Sequence, residues 1–348
     1  MAIGLGFSLP NRGVLFGAMT AEGLVRLAER ADRSGVFRSV WVGDSILGKP
    51  RMECITLLSG IAARTSRVAL GTVCMASMTL RDPILLAIQW ASLDLLSNGR
   101  AILGACIGGA GSAMGSGALE AAVYGIPNKG RVKRLEEEIT LLRRLWTEED
   151  VSFSGEVYRF EHVTALPRPV QMPPPIWIAT NPKRGAASDR VIESALERVG
   201  RLGDGYMTDA ATVDEFRWRW ERVKHYAATA GRDPSALGSS LHLMVNINTD
   251  RDAAFEEAAR FLHTYYGEDL GRAYLEVWVA FGDPEEVAGR IRAYLEAGCT
   301  TPILRFASWR QEAQFDTFIR EVVPYLRDLL PADSEAVGTD GEASAALS

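Results

Sequence analysis

The sequence predicts an α/β fold, and within that class an eight-stranded parallel (β/α)8 TIM barrel. Three observations carry the prediction. Short apolar runs recur at 3–9, 39–42, 67–73, 101–106, 176–180, 205–207, 239–247 and 302–306, and helical patterns follow most of them. The runs are continuously apolar rather than alternating, as expected of strands buried on both faces. No Gly-x-Gly-x-x-Gly fingerprint follows the first strand, which counts against an open doubly wound sheet.

Each element has a local reason. The first strand stops at Pro10-Asn11. Thr20 can cap a helix with apolar positions Leu24, Leu27, Ala28 and Ala31, ending near Gly35. The strand 39–42 closes at Gly43-Asp44-Ser45, a helix covers 55–63, and the Val- and Leu-rich run from Arg67 makes the third strand. Asp82-Pro83 is a clear helix start, because proline at the first helical position loses no hydrogen bond. That helix stops at Asn98-Gly99, where the fourth strand begins.

The strand 101–106 runs into a glycine-dense turn, Cys106-Ile107-Gly108-Gly109-Ala110-Gly111, and then a Gly/Ala/Ser-rich connection to Glu120. A helix at 131–146 carries Val132, Leu135, Ile139 and Leu142 on one face, with Glu136 to Glu138 largely outside. Two insertions interrupt the rhythm, one after the fourth strand and one in the 147–175 region. The second holds a small hairpin turning at Gly155 and then a proline-rich extended segment. Strands and helices then alternate to the last helix, 315–330. Residues 1–330 read as one barrel domain, and the small polar residues of 331–348 as a disordered tail.

Composition narrows the function. The net charge is −6 with no basic block, so nucleic acid is not the expected partner. No apolar stretch is long enough to span a membrane, and the N-terminus does not read as a signal peptide. The four cysteines form no CxxC pair, which fits free thiols in a cytoplasmic protein, and the four histidines show no metal spacing.

In a barrel, ligands collect at the C-terminal strand ends. That rule gathers Asn11, Asp44, Ser45, Cys74, Met75, Cys106, Gly108, Thr180, Asn181 and Arg305 on one rim. Lys183 and Arg184, with the hydroxyls of Thr180 and Ser188 and a helix starting near Ala187, suit a phosphate. Each residue has a plainer reading. Cys106 packs or contacts a ligand, Asp44 braces a turn, and Glu120 pairs with Arg131 or meets substrate. Arg305 is a buried ion pair or a pocket cation. His242 reads as an internal hydrogen-bonder rather than a base.

An ordered series of short motifs adds a resemblance. It runs through Trp41-Val42-Gly43-Asp44, Ile61-Ala62-Ala63-Arg64-Thr65-Ser66-Arg67-Val68, Leu70-Gly71-Thr72 and Asp82-Pro83. It continues through Ala91-Ser92-Leu93-Asp94-Leu95-Leu96-Ser97-Asn98-Gly99-Arg100, Leu103-Gly104, Gly125-Ile126-Pro127, Arg134-Leu135-Glu136-Glu137 and Leu145-Trp146-Thr147. It ends with Phe153-Ser154-Gly155 and Pro175-Ile176-Trp177-Ile178-Ala179. Their order and spacing, over roughly residues 3 to 330, resemble the bacterial luciferase-like flavin oxidoreductases.

The resemblance implies the same barrel, a homodimer or larger homo-oligomer, and FMN or the deazaflavin F420 held noncovalently. It also implies a non-prolyl cis peptide near Val73-Cys74 or Cys74-Met75. It gives first a monooxygenase that uses reduced FMN, supplied by a separate flavin reductase, and dioxygen on a small organic substrate. The alternatives are an F420-dependent oxidoreductase moving hydride, and a flavin-binding homologue without catalysis.

Under this reading Asp44, Ser45 and Cys106 are the catalytic candidates. Cys74, Met75, Gly108, Thr180, Asn181, Lys183, Arg184 and Ser188 hold the cofactor, and Asn11, Glu120 and Arg305 meet substrate; no metal is expected. Two departures matter: many members carry histidine where this chain has Ser45, and where many show Gly-Gly after Trp-Ile this chain has Ala179-Thr180.

Overall fold

The computed structural model describes residues 4–108, 116–126, 129–182 and 187–330. Lys183, Arg184 and the 331–348 tail lie outside the described residues. The first half of the chain lays down β1 (Leu5–Leu9), α1 (Ala21–Ser34), β2 (Phe37–Val42), α2 (Cys54–Ala62), β3 (Ala69–Thr72), α3 (Pro83–Leu96) and β4 (Ala101–Ala105). Then come α4 (Ser116–Val123), α5 (Arg131–Thr147), the hairpin β5 (Val151–Ser154) and β6 (Arg159–Val163), and β7 (Ile176–Ala179). The remainder is α6 (Asp189–Leu202), β8 (Gly205–Asp209), α7 (Val213–Thr229), β9 (Gly238–Ile247), α8 (Arg251–Tyr266), α9 (Arg272–Trp278), β10 (Val279–Gly282), α10 (Pro284–Glu296), β11 (Thr301–Phe306) and α11 (Gln311–Thr317).

Eight parallel strands close the barrel in the order β1-β2-β3-β4-β7-β8-β9-β11, with β11 returning to β1. Helix starts follow the local chemistry. Thr20 accepts from the Gly23 amide, and Asp82 accepts from Ile84 and Leu85 with Pro83 at the first position. The Val73–Cys74 peptide is cis, at one of the two bonds the resemblance pointed to.

The structure departs from the sequence reading at the last helix, which is α11 followed by a π-helical turn at Phe318–Val322 and a 3-10 turn at Val323–Leu326, and in two of the connections. The Gly108–Glu120 connection is not all loop, since α4 occupies its end. A third insertion, α9 and β10, lies between α8 and α10, where the sequence reading passed directly from helix to helix. β10 is four residues long and pairs only with the end of β9, Val279 with Met244 through Gly282 with Ile247. So short a run has no period to detect.

The lumen is packed from inside by Trp41, Trp177, Met207 and Ile303, contributed by four different strands. The two indoles meet with ring centroids 5.6 Å apart, and the Trp41 Nε1 donates to Ser39 Oγ at 2.7 Å. Glycines on the strands around them provide the volume. A Cβ on Gly71 would lie 2.3 Å from the Trp41 ring, and one on Gly205 2.5 Å from Trp177. Gly104 is tighter still, because its Cβ would meet the backbone carbonyl of Thr72 at 1.9 Å. Backbone cannot rotate away as a side chain can.

Gly104→Ala is therefore expected to destabilise the protein by about 3 kcal/mol or more, read by urea unfolding. A loss within the ~0.5 kcal/mol typical of surface changes would show that the lumen is not packed as described.

Candidate functional site

Strand periodicity carries the interior face from the indole layer to the barrel mouth. Two residues beyond Gly104 stands Cys106; beyond Trp177 stand Ala179 and Asn181; beyond Met207, Asp209; beyond Ile303, Arg305. These residues line a cavity of about 880 Å³, together with Asp44, Val73, Cys74, Gly108, Thr180 and His242. Helix α6 adds Arg190, Ser194 and Arg198, and Arg51 and Tyr266 complete another part of the wall.

Among the predicted residues, Asp44 faces the cavity and also braces it. Its carboxylate accepts from the Ser77 amide at 2.7 Å and lies 3.5 Å from Arg81. Cys74 and Cys106 share one stretch of wall, and the Cys106 thiol donates to the Met75 carbonyl at 3.6 Å. The hydrogen bond with Cys106, and then burial, push the Cys74 thiol well above its usual pKa, so it remains protonated. Thr180, Asn181, Gly108 and Arg305 also line the cavity.

Other candidates require correction. Ser45 donates to Glu120 Oε1 at 2.8 Å, and the same carboxylate takes the amides of Ile46, Leu47 and Gly48 at 2.7 to 3.0 Å. Burial opposes the charge, but the bonds from Gly48, Ser45, Leu47 and Ile46 hold the Glu120 carboxyl below its usual pKa. Neither side chain is part of the cavity wall. Ser45 is thus removed from the catalytic candidates and Glu120 from the substrate contacts, because each satisfies the other and the 45–48 loop.

Asn11 is committed in the same way, donating to the carbonyls of Gly43 and Met52 at 2.8 and 3.1 Å and accepting from Gly43 at 3.2 Å. Met75 is fully buried in the core and, unlike Cys74, does not line the cavity. Ser188 is the N-cap position of α6 and its side chain caps nothing.

The sequence reading placed Arg305 at this rim but missed the rest of its wall, made by His242, Arg51 and Tyr266. Arg305 is 1% exposed; it donates to Ser8 Oγ at 2.7 Å and to the Tyr266 hydroxyl at 3.1 Å, and it lies 4.8 Å from the centre of the Tyr265 ring. Its Nε has no partner. His242, read as an internal hydrogen-bonder, has an unpartnered Nε2 instead. Burial, then the charges of Arg305 and Arg51, hold its pKa well below the usual imidazole range. Burial pushes the Tyr266 hydroxyl up to about 12. The signal available in the sequence was register: His242 and Arg305 fall on the inward phase of their strands.

Three comparisons bear on this geometry. The sequence profile of the luciferase-like monooxygenase family matches residues 5–301. An F420-dependent glucose-6-phosphate dehydrogenase of Amycolatopsis mediterranei is 29% identical over 332 residues, covering 88% of this chain and 95% of that protein. An F420-dependent hydroxymycolic acid dehydrogenase of Mycobacterium tuberculosis is 29% identical over 327 residues, covering 87% and 84%. Among solved structures, the monooxygenase RslO1 of Streptomyces bottropensis superimposes with a TM-score of 0.75 at 25% identity, covering 93% and 99%. No helix among the described residues is long and apolar enough to cross a membrane.

The buried imidazole predicts a pH dependence of stability. An unfolded histidine titrates near about 6.5, whereas the native state holds His242 neutral to lower pH. Below that point the unfolded chain binds a proton the native chain refuses, so stability is full above it and falls as pH drops. Denaturant unfolding at about pH 7.5 and about pH 5.5 should show a smaller acid loss in His242→Gln than in the parent. Equal losses in both proteins would contradict the assignment.

Proposed function

The chain belongs to the luciferase-like monooxygenase family, whose members are oxidoreductases, and on that premise we propose that it is an F420-dependent oxidoreductase acting on a small organic substrate. The observation that carries the choice of cofactor is that both curated relatives, aligned over most of this chain, use F420. Reduced FMN with dioxygen was the first expectation from sequence. The family's description and the RslO1 neighbour favour that second reading.

The residues present fit such a cofactor. Gly108, with φ +76°, presents bare backbone to the cavity; a Cβ there would lie 2.7 Å from the Ala76 carbonyl and 2.6 Å from Arg131 Nη2. The N-terminus of α6 has no side-chain cap, and Arg190, Ser194 and Thr180 line the cavity beside it. This donor set suits a phosphate group. Bound there, F420 supplies a deazaflavin ring that accepts or donates a hydride.

The chain's own contribution is then orientation, exclusion of water and handling of one proton. Cys74 and Cys106 supply wall rather than a nucleophile, since the Cys74 thiol stays protonated and the Cys106 thiol is committed to a carbonyl. Ser45 is occupied. The proton is held or moved at His242 Nε2, the imidazole nitrogen without a partner in the cavity wall.

Purified protein titrated separately with F420, oxidised FMN and reduced FMN tests the reading by fluorescence and absorbance. F420 is expected to bind more tightly than either form of FMN. Tight FMN binding with negligible F420 binding would return the assignment to a monooxygenase. With a substrate found by screening F420 reduction or oxidation, His242→Gln should keep its F420 affinity and lose about 100-fold in turnover. Unchanged turnover would remove His242 from proton transfer.

A further inference from the structure

We propose that Arg305 and Arg51, with Nε2 of His242 beside them, form a subsite for an oxyanion carried by the substrate, so that the substrate is a small carboxylate or phosphate ester. The inference rests on the oxidoreductase reading and specifies its substrate class.

The argument begins with charge that has no counterion. A buried guanidinium is costly unless it is paired. Two other arginines lining or bracing the mouth follow that rule: Arg198 pairs with Glu136 at 2.9 Å, and Arg81 with Glu53 at 2.9 Å and Asp44 at 3.5 Å. Arg305 does not. Its partners are two neutral hydroxyls and an aromatic face, and no described carboxylate lies within ion-pair distance. Its Nε is buried and unpartnered.

Arg51, half-buried, adds a second guanidinium on the same wall. Its Nε donates to the Lys49 carbonyl at 3.0 Å, and it makes no ion pair with a described residue. Lys49 is neutralised by Glu268. The acids that face the cavity are already engaged. Asp44 is held by Ser77 and Arg81, and Asp209, in register with His242, accepts from the Asn181 amide.

Two guanidiniums and an unpartnered imidazole nitrogen thus converge where an anion would complete them. A guanidinium edge matches the geometry of a carboxylate or phosphate. The subsite is also separate from the proposed cofactor phosphate site. Arg305 ends β11, whereas the α6 donors follow β7, with β8 and β9 between those strands.

Calorimetric titration tests the proposal, using inorganic phosphate and succinate as probes, on the protein with and without saturating F420. At least one anion is expected to bind, and to bind still when F420 is present. Binding by phosphate alone assigns a phosphate ester, and by succinate alone a carboxylate. With F420 saturating, so that the cofactor phosphate site is filled, Arg305→Gln should weaken it by about tenfold or more. Where Arg305→Gln fails to fold by circular dichroism, Arg51→Gln at the cavity wall is the deciding variant, with a loss of about tenfold expected.

Binding of neither anion overturns the proposal, as does binding kept in Arg305→Gln with F420 saturating. A protein that binds the anion through Arg305 but does not bind F420 keeps the subsite and overturns the cofactor reading.

Discussion

Two indoles inside a closed sheet set the geometry on which everything else depends. Trp41 and Trp177 fill the lumen from β2 and β7, and glycines at 6, 71 and 205 give up side-chain volume to admit them. Side chains in a barrel interior come in layers, so a filled layer becomes the floor of the next. Here the next layer is the cavity. Its residues are spaced by two from the packed ones, which ties Asp209 to Met207 and Arg305 to Ile303 by backbone alone. The site is therefore carried on strands whose inward phase cannot slip without exposing the floor.

The cavity divides by charge. The α6 side offers a helix N-terminus without a side-chain cap, Arg190 and hydroxyls, a set that suits phosphate. The β11 side offers Arg305 and Arg51, backed by tyrosine rings and neutral hydroxyls rather than by acids. His242 stands on that second side, kept neutral by burial and by the same arginines. An anion placed there would weaken their repulsion of its proton, which couples substrate binding to basicity at Nε2.

What the sequence made legible follows from range. Asp82-Pro83 announced α3 because capping is local, and the barrel followed from strands whose order needs no long-range information. Register was legible too, though the sequence reading did not extend the inward phase to His242. Pairing across distance was not. Ser45 and Glu120 lie 75 residues apart, and no pattern in either segment says that one carboxylate oxygen takes up the hydroxyl and the loop amides after it. Asn11 and Arg305 invited the same ambiguity, and opposite outcomes resolved it. Asn11 is saturated by backbone, whereas Arg305 meets no acid among the described residues.

The central claim is that cofactor and substrate anion occupy different walls above one indole floor. A crystal structure of the protein with bound F420 tests it most directly. The account predicts the F420 phosphate in contact with the first turn of α6 and Arg190, with Arg305 and His242 left uncovered. An F420 phosphate seated on Arg305 and Arg51 would contradict it, because the charge assigned to substrate would then belong to the cofactor.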